Sequence, residues 1–270
     1  MDRYILPNIK QYKNIDDLFE STDKSNTTRF SDKSSFLDTI IKTHHLCIVG
    51  EPGIGKSRLL KELESTLSSK DVVKCNAVDF ISKSVGTNVK YCIVDALDEV
   101  ESNQFSRVFR EIKDFCENNK NTNVVFSCRK HYVASYAHIF SSFTDLSYIE
   151  LLRLDDESVE DILSSCSEQV ICNIGKSKKM LGLLSIPRYL EYFIEYQKEN
   201  VDCQNIGQIF EQFVEKNILK AIEEYDNTQC DKNNLAILIQ RVLEKIAFVM
   251  EIGRLDSITK DELYTILDGM

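Results

Sequence analysis

What this chain of 270 residues lacks narrows its chemistry first. It has no basic excess. Its 43 acidic and 33 basic side chains leave a formal charge of −10, so the overall basic field that a non-specific grip on nucleic acid needs is missing. No apolar run approaches a membrane span. The first residues, Met1-Asp2-Arg3-Tyr4-Ile5-Leu6-Pro7, lack the basic-then-apolar layout of a signal peptide. The nine cysteines include no C-x-x-C pair, and their odd count makes a poor disulfide framework. Cys47, Cys92 and Cys128 fall inside apolar, strand-like runs, which suits reduced, buried thiols in a cytoplasmic protein better than a metal or redox centre. His44, His45, His131 and His138 have no ligand-spaced partner, and no internal repeat is present. With 43% hydrophobic and 28% charged residues, the composition is that of an ordinary soluble chain, enough for one large or two modest domains.

Against that plain background one stretch stands out. Residues 50–57 read Gly50-Glu51-Pro52-Gly53-Ile54-Gly55-Lys56-Ser57, a complete G-x-x-x-x-G-K-[ST] pattern. Leu46-Cys47-Ile48-Val49 before it reads as a short buried strand, and Ser57-Arg58-Leu59-Leu60-Lys61-Glu62-Leu63 after it as the start of a helix. Gly50, Gly53 and Gly55 can take backbone angles that other residues avoid, so successive amides can curl around a phosphate at a helix N-terminus. Lys56 then reaches the β- and γ-phosphates, and Ser57 offers a hydroxyl ligand to Mg2+.

Strands and helices alternate around this loop. Val72–Ala77, Lys90–Asp95, Asn123–Cys128 and Tyr148–Leu154 read as strands; Phe105–Phe115 and Tyr132–Phe140 read as helices. The expected fold is α/β, a parallel P-loop sheet flanked by helices. Residues 1–20 hold a Pro-bearing arm and a helix, and 21–34 read as a polar linker. Beyond residue 155 the pattern is helical. Phe210, Phe213, Val214, Ile218 and Ile222 form one stripe, Leu235–Met250 is apolar enough for a buried helix, and Thr259-Lys260-Asp261-Glu262 is a capping box.

Two further motifs follow the loop in order. Tyr91-Cys92-Ile93-Val94-Asp95 ends an apolar strand on a carboxylate, the form that holds Mg2+ through water opposite Ser57. Asp98 and Glu99 lie just beyond and can orient or deprotonate an attacking water. Alone they would read as a solvated acidic turn; the loop upstream favours the catalytic reading. Val124-Val125-Phe126-Ser127-Cys128-Arg129 ends a buried strand in an arginine at the edge where such sheets bind ligands. Arg129 is either a γ-phosphate sensor or a surface arginine.

The order GEPGIGKS, YCIVDALDE, VVFSCR and LLSIPRYL resembles the NACHT branch of the STAND NTPases over roughly residues 36–270, strongly to 130. The most specific element is the small Ala96 after Asp95, followed by the acidic pair Asp98-Glu99. Ser127-Cys128-Arg129 stands in for the Thr-Ser-Arg sensor, and Pro187 for the proline that packs against adenine. The resemblance implies an arm and linker (1–35), a nucleotide core (36–154), a helical lid (155–204) and an incomplete winged-helix region (205–270). It implies ATP and ADP with Mg2+ as cofactors, slow hydrolysis, and homo-oligomerisation on activation, in antiphage or innate immune defence. Effector and sensor repeats are not among these residues, so the chain is either a fragment or works with separate partners. No histidine follows His138, so the β-phosphate histidine of many relatives has no counterpart. An AAA+-like ATPase that remodels or loads a protein or DNA, and a module that holds nucleotide without turnover, are the alternatives. No Asn-Lys-x-Asp or LSGGQ segment points to a small GTPase or an ABC ATPase.

Overall fold

The computed structural model describes residues 6–20, 27–30, 32–80, 89–164, 174, 178–198, 206–225, 232–253 and 258–268. In chain order the strands are β1 (Ile9–Tyr12), β2 (Thr27–Thr28), β3 (His45–Gly50), β4 (Val72–Asn76), β5 (Tyr91–Asp95), β6 (Asn123–Arg129) and β7 (Leu146–Leu151). They form one sheet in the order β2-β1-β7-β3-β6-β5-β4. The five strands from β7 to β4 are parallel, as the alternating pattern predicts. The N-terminal arm adds an antiparallel edge: β1 pairs with β7, and β2 with β1. Sequence reading found the arm's helix, α1 (Ile15–Glu20), but not these two strands; Thr27–Thr28 lies where a linker was expected.

Period-2 alternation divides each central strand between two layers. Leu46 and Ile48 of β3, Ile93 of β5, Val125 of β6 and Ile149 of β7 face one core. There they meet Phe36, Leu37 and Ile40 of α2 (Lys33–Ile41) and Leu59, Leu60 and Leu63 of α3 (Lys56–Thr66). Cys47, Val49, Cys92, Val94, Phe126, Cys128 and Tyr148 face the other. That layer is closed by Phe105, Val108, Phe109 and Ile112 of α4 (Ser102–Asn118), by Val133 of α5 (Lys130–Ser135) and by Phe140 of α6 (Ala137–Phe140). Phe126, Phe109 and Phe140 pack on one another in edge-on and tilted pairs, and truncating such a ring to alanine costs about 3–5 kcal/mol. All five described cysteines are buried and none of them forms a disulfide; Cys166, Cys172, Cys203 and Cys230 lie outside the described residues.

Helix starts follow their caps. Asp155 accepts from the Ser158 amide at 2.8 Å to begin α7 (Asp156–Leu163), and is also held by Asn8 and Arg29 of the arm. Then come α8 (Lys178–Leu184) and α9 (Pro187–Lys198), with proline at the first helical position, where its missing N–H costs nothing.

The chain divides into two compact units, Met1–Glu191 and Tyr192–Met270. The second holds the rest of α9, then α10 (Ile206–Tyr225), α11 (Lys232–Gly253) and α12 (Lys260–Asp268). Thr259 and Glu262 exchange the reciprocal bonds of the capping box. Ile218 and Ile222 of α10 are buried, whereas the side chains of Phe210 and Phe213 lie outside the described ones. The expectation of a buried helix at Leu235–Met250 does not hold. α11 buries none of its residues and exposes Ile237, Leu238, Leu243, Phe248 and Ile252. It packs along α10 and meets α12, and those contacts leave these apolar side chains exposed.

Candidate functional site

The strand order brings the motifs together. β6 lies between β3, which delivers the glycine-rich loop, and β5, which delivers Asp95. The carboxyl ends of these three adjacent strands therefore carry Gly50, Arg129 and Asp95 side by side.

In the loop, Gly53 has φ 77° and Gly55 φ 107°, a left-handed region in which side chains are strained. Gly53 is also crowded: a Cβ there would sit 3.2 Å from Ile186 Cγ2 and from Arg188 Cβ. Gly50 is different from expectation. It lies in β3 and has no positive φ; its lack of a side chain is needed because a Cβ would meet Ile54 Cγ2 at 2.8 Å. Lys56 donates to the carbonyls of Gly50 (2.9 Å) and Glu51 (3.1 Å). Burial holds its pKa below the ordinary lysine value; the nearby Asp98 and Asp95 charges oppose that shift, and Arg129 adds to it.

Asp95 is the hub. Its Oδ1 accepts from Ser57 Oγ at 3.2 Å, from Ser127 Oγ at 2.6 Å and from the Ala96 amide at 2.9 Å. The same amide also donates to Ser127 Oγ at 2.9 Å. Ala96 takes φ 58°, the only positive φ at a non-glycine residue among those described. That strained turn aims its N–H back at the carboxylate. A hydroxyl and a carboxylate held together at a strand end fit the donor set of Mg2+, which otherwise keeps its waters.

Asp98 and Glu99 part company. Asp98, only 6% exposed, gives Oδ2 to Arg129 Nε at 2.7 Å and Oδ1 to the Arg129 amide at 3.0 Å. Glu99 is exposed and takes no side-chain partner among the described residues. Arg129 is thus neither a loose surface arginine nor free; it is tethered to the acidic turn. Pro187 is half-buried, and its neighbours touch the loop: the Arg188 amide donates to Gly53 O at 3.2 Å. Arg58 pairs with Glu191 at 3.3 Å.

Sequence reading missed three contributors. Ser127 was only a stand-in within a motif, yet it is 1% exposed and fastens Asp95. Arg153 places Nη2 2.6 Å and Nε 3.0 Å from Glu51 Oε2. Arg188, the third, reaches the loop through its backbone amide, which carries no side-chain signature in sequence. The one available signal for Arg153 was its position just past β7, at the same sheet edge.

A parallel sheet with helices on both faces, a glycine-rich loop between β3 and α3, and a carboxylate at the end of β5 define a P-loop NTPase. The profile of the family described as Novel STAND NTPase 3 matches residues 32–168, and the chain belongs to that family. The family lies within the STAND class that the motifs resemble; the NACHT branch is a finer assignment than the match carries. A search among curated proteins finds no match. Among solved structures, the replication initiator DnaA bound to AMPPCP and single-stranded DNA aligns with TM-score 0.48 and 16% identity, over 71% of this chain and 66% of that one. AMPPCP-bound DnaA from Aquifex aeolicus gives 0.47 and 13%, over 91% and 90%. The signal transduction ATPase with numerous domains (STAND) protein with a tetratricopeptide repeat sensor from Pyrococcus horikoshii gives 0.42 and 13%, over 73% of this chain and 35% of that one. These are remote likenesses, and the family assignment rests on the profile match. No described helix is long and apolar enough to cross a membrane.

Proposed function

We propose that the chain is an ATP-binding, slowly hydrolysing signal switch of the STAND type. In this reading it alternates between ADP and ATP forms in the cytoplasm and assembles into homo-oligomers in a defence response. The observation that carries the nucleotide part is the convergence of Lys56, Ser57, Asp95 and the Asp98–Arg129 pair at the carboxyl ends of β3, β5 and β6. The oligomeric and defensive parts rest on the NACHT-like motif order, including Ala96 before Asp98-Glu99.

The roles divide by geometry. The amides of residues 50–57 cradle the phosphates, and Lys56 leaves its two carbonyl partners to pair with the β- and γ-oxygens. Ser57 and Asp95 would hold Mg2+, which would neutralise charge on the phosphoryl oxygens. Glu99, exposed and without a side-chain partner among the described residues, orients the attacking water and accepts its proton. Asp98 has both oxygens engaged, so it acts through Arg129, holding the guanidinium where charge develops on the γ-phosphoryl group. Pro187, beside the Ile186–Arg188 contact with Gly53, packs on the base. Removing both acidic side chains (Asp98→Ala with Glu99→Ala) tests the division of labour. Nucleotide affinity stays within about threefold while turnover falls by about a hundredfold. Loss of affinity instead would mean the pair belongs to the binding machinery. Light scattering with ATP and with ADP tests assembly: a monomer under both conditions, with the activating trigger present, removes the switch reading.

A further inference from the structure

Glu51 is an anomaly in a loop built to hold anions: it carries a full negative charge beside the amides and the lysine that would receive phosphate. Its surroundings answer the anomaly. Arg153 brings Nη2 and Nε onto the same oxygen, Oε2 of Glu51, at 2.6 and 3.0 Å. A third N–H, on Nη1, reaches Gly182 O of α8 at 3.4 Å. On the other side, the Glu51 carbonyl accepts from Lys56. Nearby, Gly53 O accepts from the Arg188 amide, a Cβ on Gly53 would crowd Ile186 and Arg188, and Leu154 N donates to Ser185 O. The loop and the segment from Gly182 to Glu191 are thus joined at several points, and the Arg153 side chain touches both Glu51 and α8.

We propose that Arg153 is a positioning residue that cancels the charge of Glu51 and ties the phosphate loop to α8, so that nucleotide affinity depends on the pair rather than on either residue. This deepens the nucleotide reading given above and rests on it. An arginine suits the task better than a lysine, because its planar fork holds two donors on one carboxylate while a third reaches a carbonyl. Both side chains are about half exposed, at 49% and 50%, so the effect is moderate and screened by salt.

The pair predicts opposite signs. In equilibrium titrations of the full chain with a fluorescent ATP analogue, Arg153→Ala leaves Glu51 facing the phosphates and weakens binding by about threefold to tenfold, and 0.5 M salt shrinks that loss. Glu51→Gln leaves Arg153 uncompensated and tightens binding by about twofold to threefold. The double variant returns to within about twofold of the parent. A double variant as weak as Arg153→Ala would overturn the proposal, as would Arg153→Ala binding like the parent. Lys56→Ala run alongside separates the two layers. If it binds normally, the nucleotide reading fails and this proposal with it; if it loses binding while Arg153→Ala does not, only this proposal fails.

Discussion

Ser127 of β6 donates a 2.6 Å hydrogen bond to Oδ1 of Asp95 at the end of β5, a residue 32 positions earlier in sequence. The contact exists because β6 is inserted between β3 and β5. It fixes the carboxylate by a partner buried to 1% exposure, while Ser57 approaches the same oxygen from the loop. Substituting Ser127→Ala removes this support. Nucleotide affinity in Mg2+ is expected to fall by about tenfold and affinity in EDTA to stay unchanged, since a hydrogen bond to a charged group is worth about 1.5–3 kcal/mol. Ser127→Thr keeps the hydroxyl and restores the Mg2+ response. Titrations with and without the cation check this; an equal loss in EDTA would mean Ser127 supports the fold rather than the metal carboxylate.

Ala96 holds a left-handed conformation in order to bring its amide onto Asp95 and Ser127. A side chain in that region costs about 1–2 kcal/mol, part of which glycine gives back in backbone entropy. Ala96→Gly is therefore expected to raise the melting temperature by about 2–4 °C if the net gain is near 1 kcal/mol. Ala96→Val, β-branched at positive φ, is expected to lower it by at least as much. Thermal unfolding followed by circular dichroism checks both signs.

His45 begins β3 at the opposite end of the strand from the loop, is 5% exposed, and its Nδ1 has no partner among the described residues. Burial, followed by the neighbouring His44, lowers its pKa from 6.5 to about 4, while Asp145 opposes the shift. The unfolded chain therefore binds the proton more readily between those values. The stability contributed by keeping His45 neutral is fully present above pH 6.5 and is lost as pH falls towards 4, a change of about 3 kcal/mol at most. Denaturant unfolding at pH 7 and pH 5 should show this loss, and His45→Phe should flatten it. An equal pH dependence in the variant would assign the loss to carboxylates instead.

Gly53 needs both its freedom and its smallness. Gly53→Ala would carry φ 77° with a Cβ 3.2 Å from Ile186 and Arg188, neither of which is a free side-chain tip at that contact. The expected result is destabilisation of about 1–3 kcal/mol together with weaker nucleotide binding, because the loop cannot keep its curl. Chemical denaturation and nucleotide titration on the same preparation check the pair of effects.

The phosphate loop was legible because it is contiguous, and Asp95 because an apolar strand ending on a carboxylate is a local pattern. The helix start at Thr259 was legible for the same reason: a cap and its partner lie three residues apart. Ser127 and Arg153 were not, since what each side chain meets is set by strand order, which brings β6 and β7 to either side of β3. β1 and β2 are too short for periodicity to register, and they hold their place by pairing with an edge already built. Asp98 and Glu99 look equivalent in sequence; only the reach of Arg129 separates them. The exposure of α11 was hidden by its own apolarity, which says how much surface seeks cover and not how much receives it.

The measurement that tests the account most directly is calorimetric titration of the intact chain with ATP and Mg2+, parent against Lys56→Ala. The lysine ammonium rests on the Gly50 and Glu51 carbonyls, at the mouth of the loop that the whole reading turns on. One site per chain is expected in the parent and a loss of affinity of about a hundredfold or more in the variant, with the melting temperature without nucleotide little changed. Equal binding by the two proteins would contradict it.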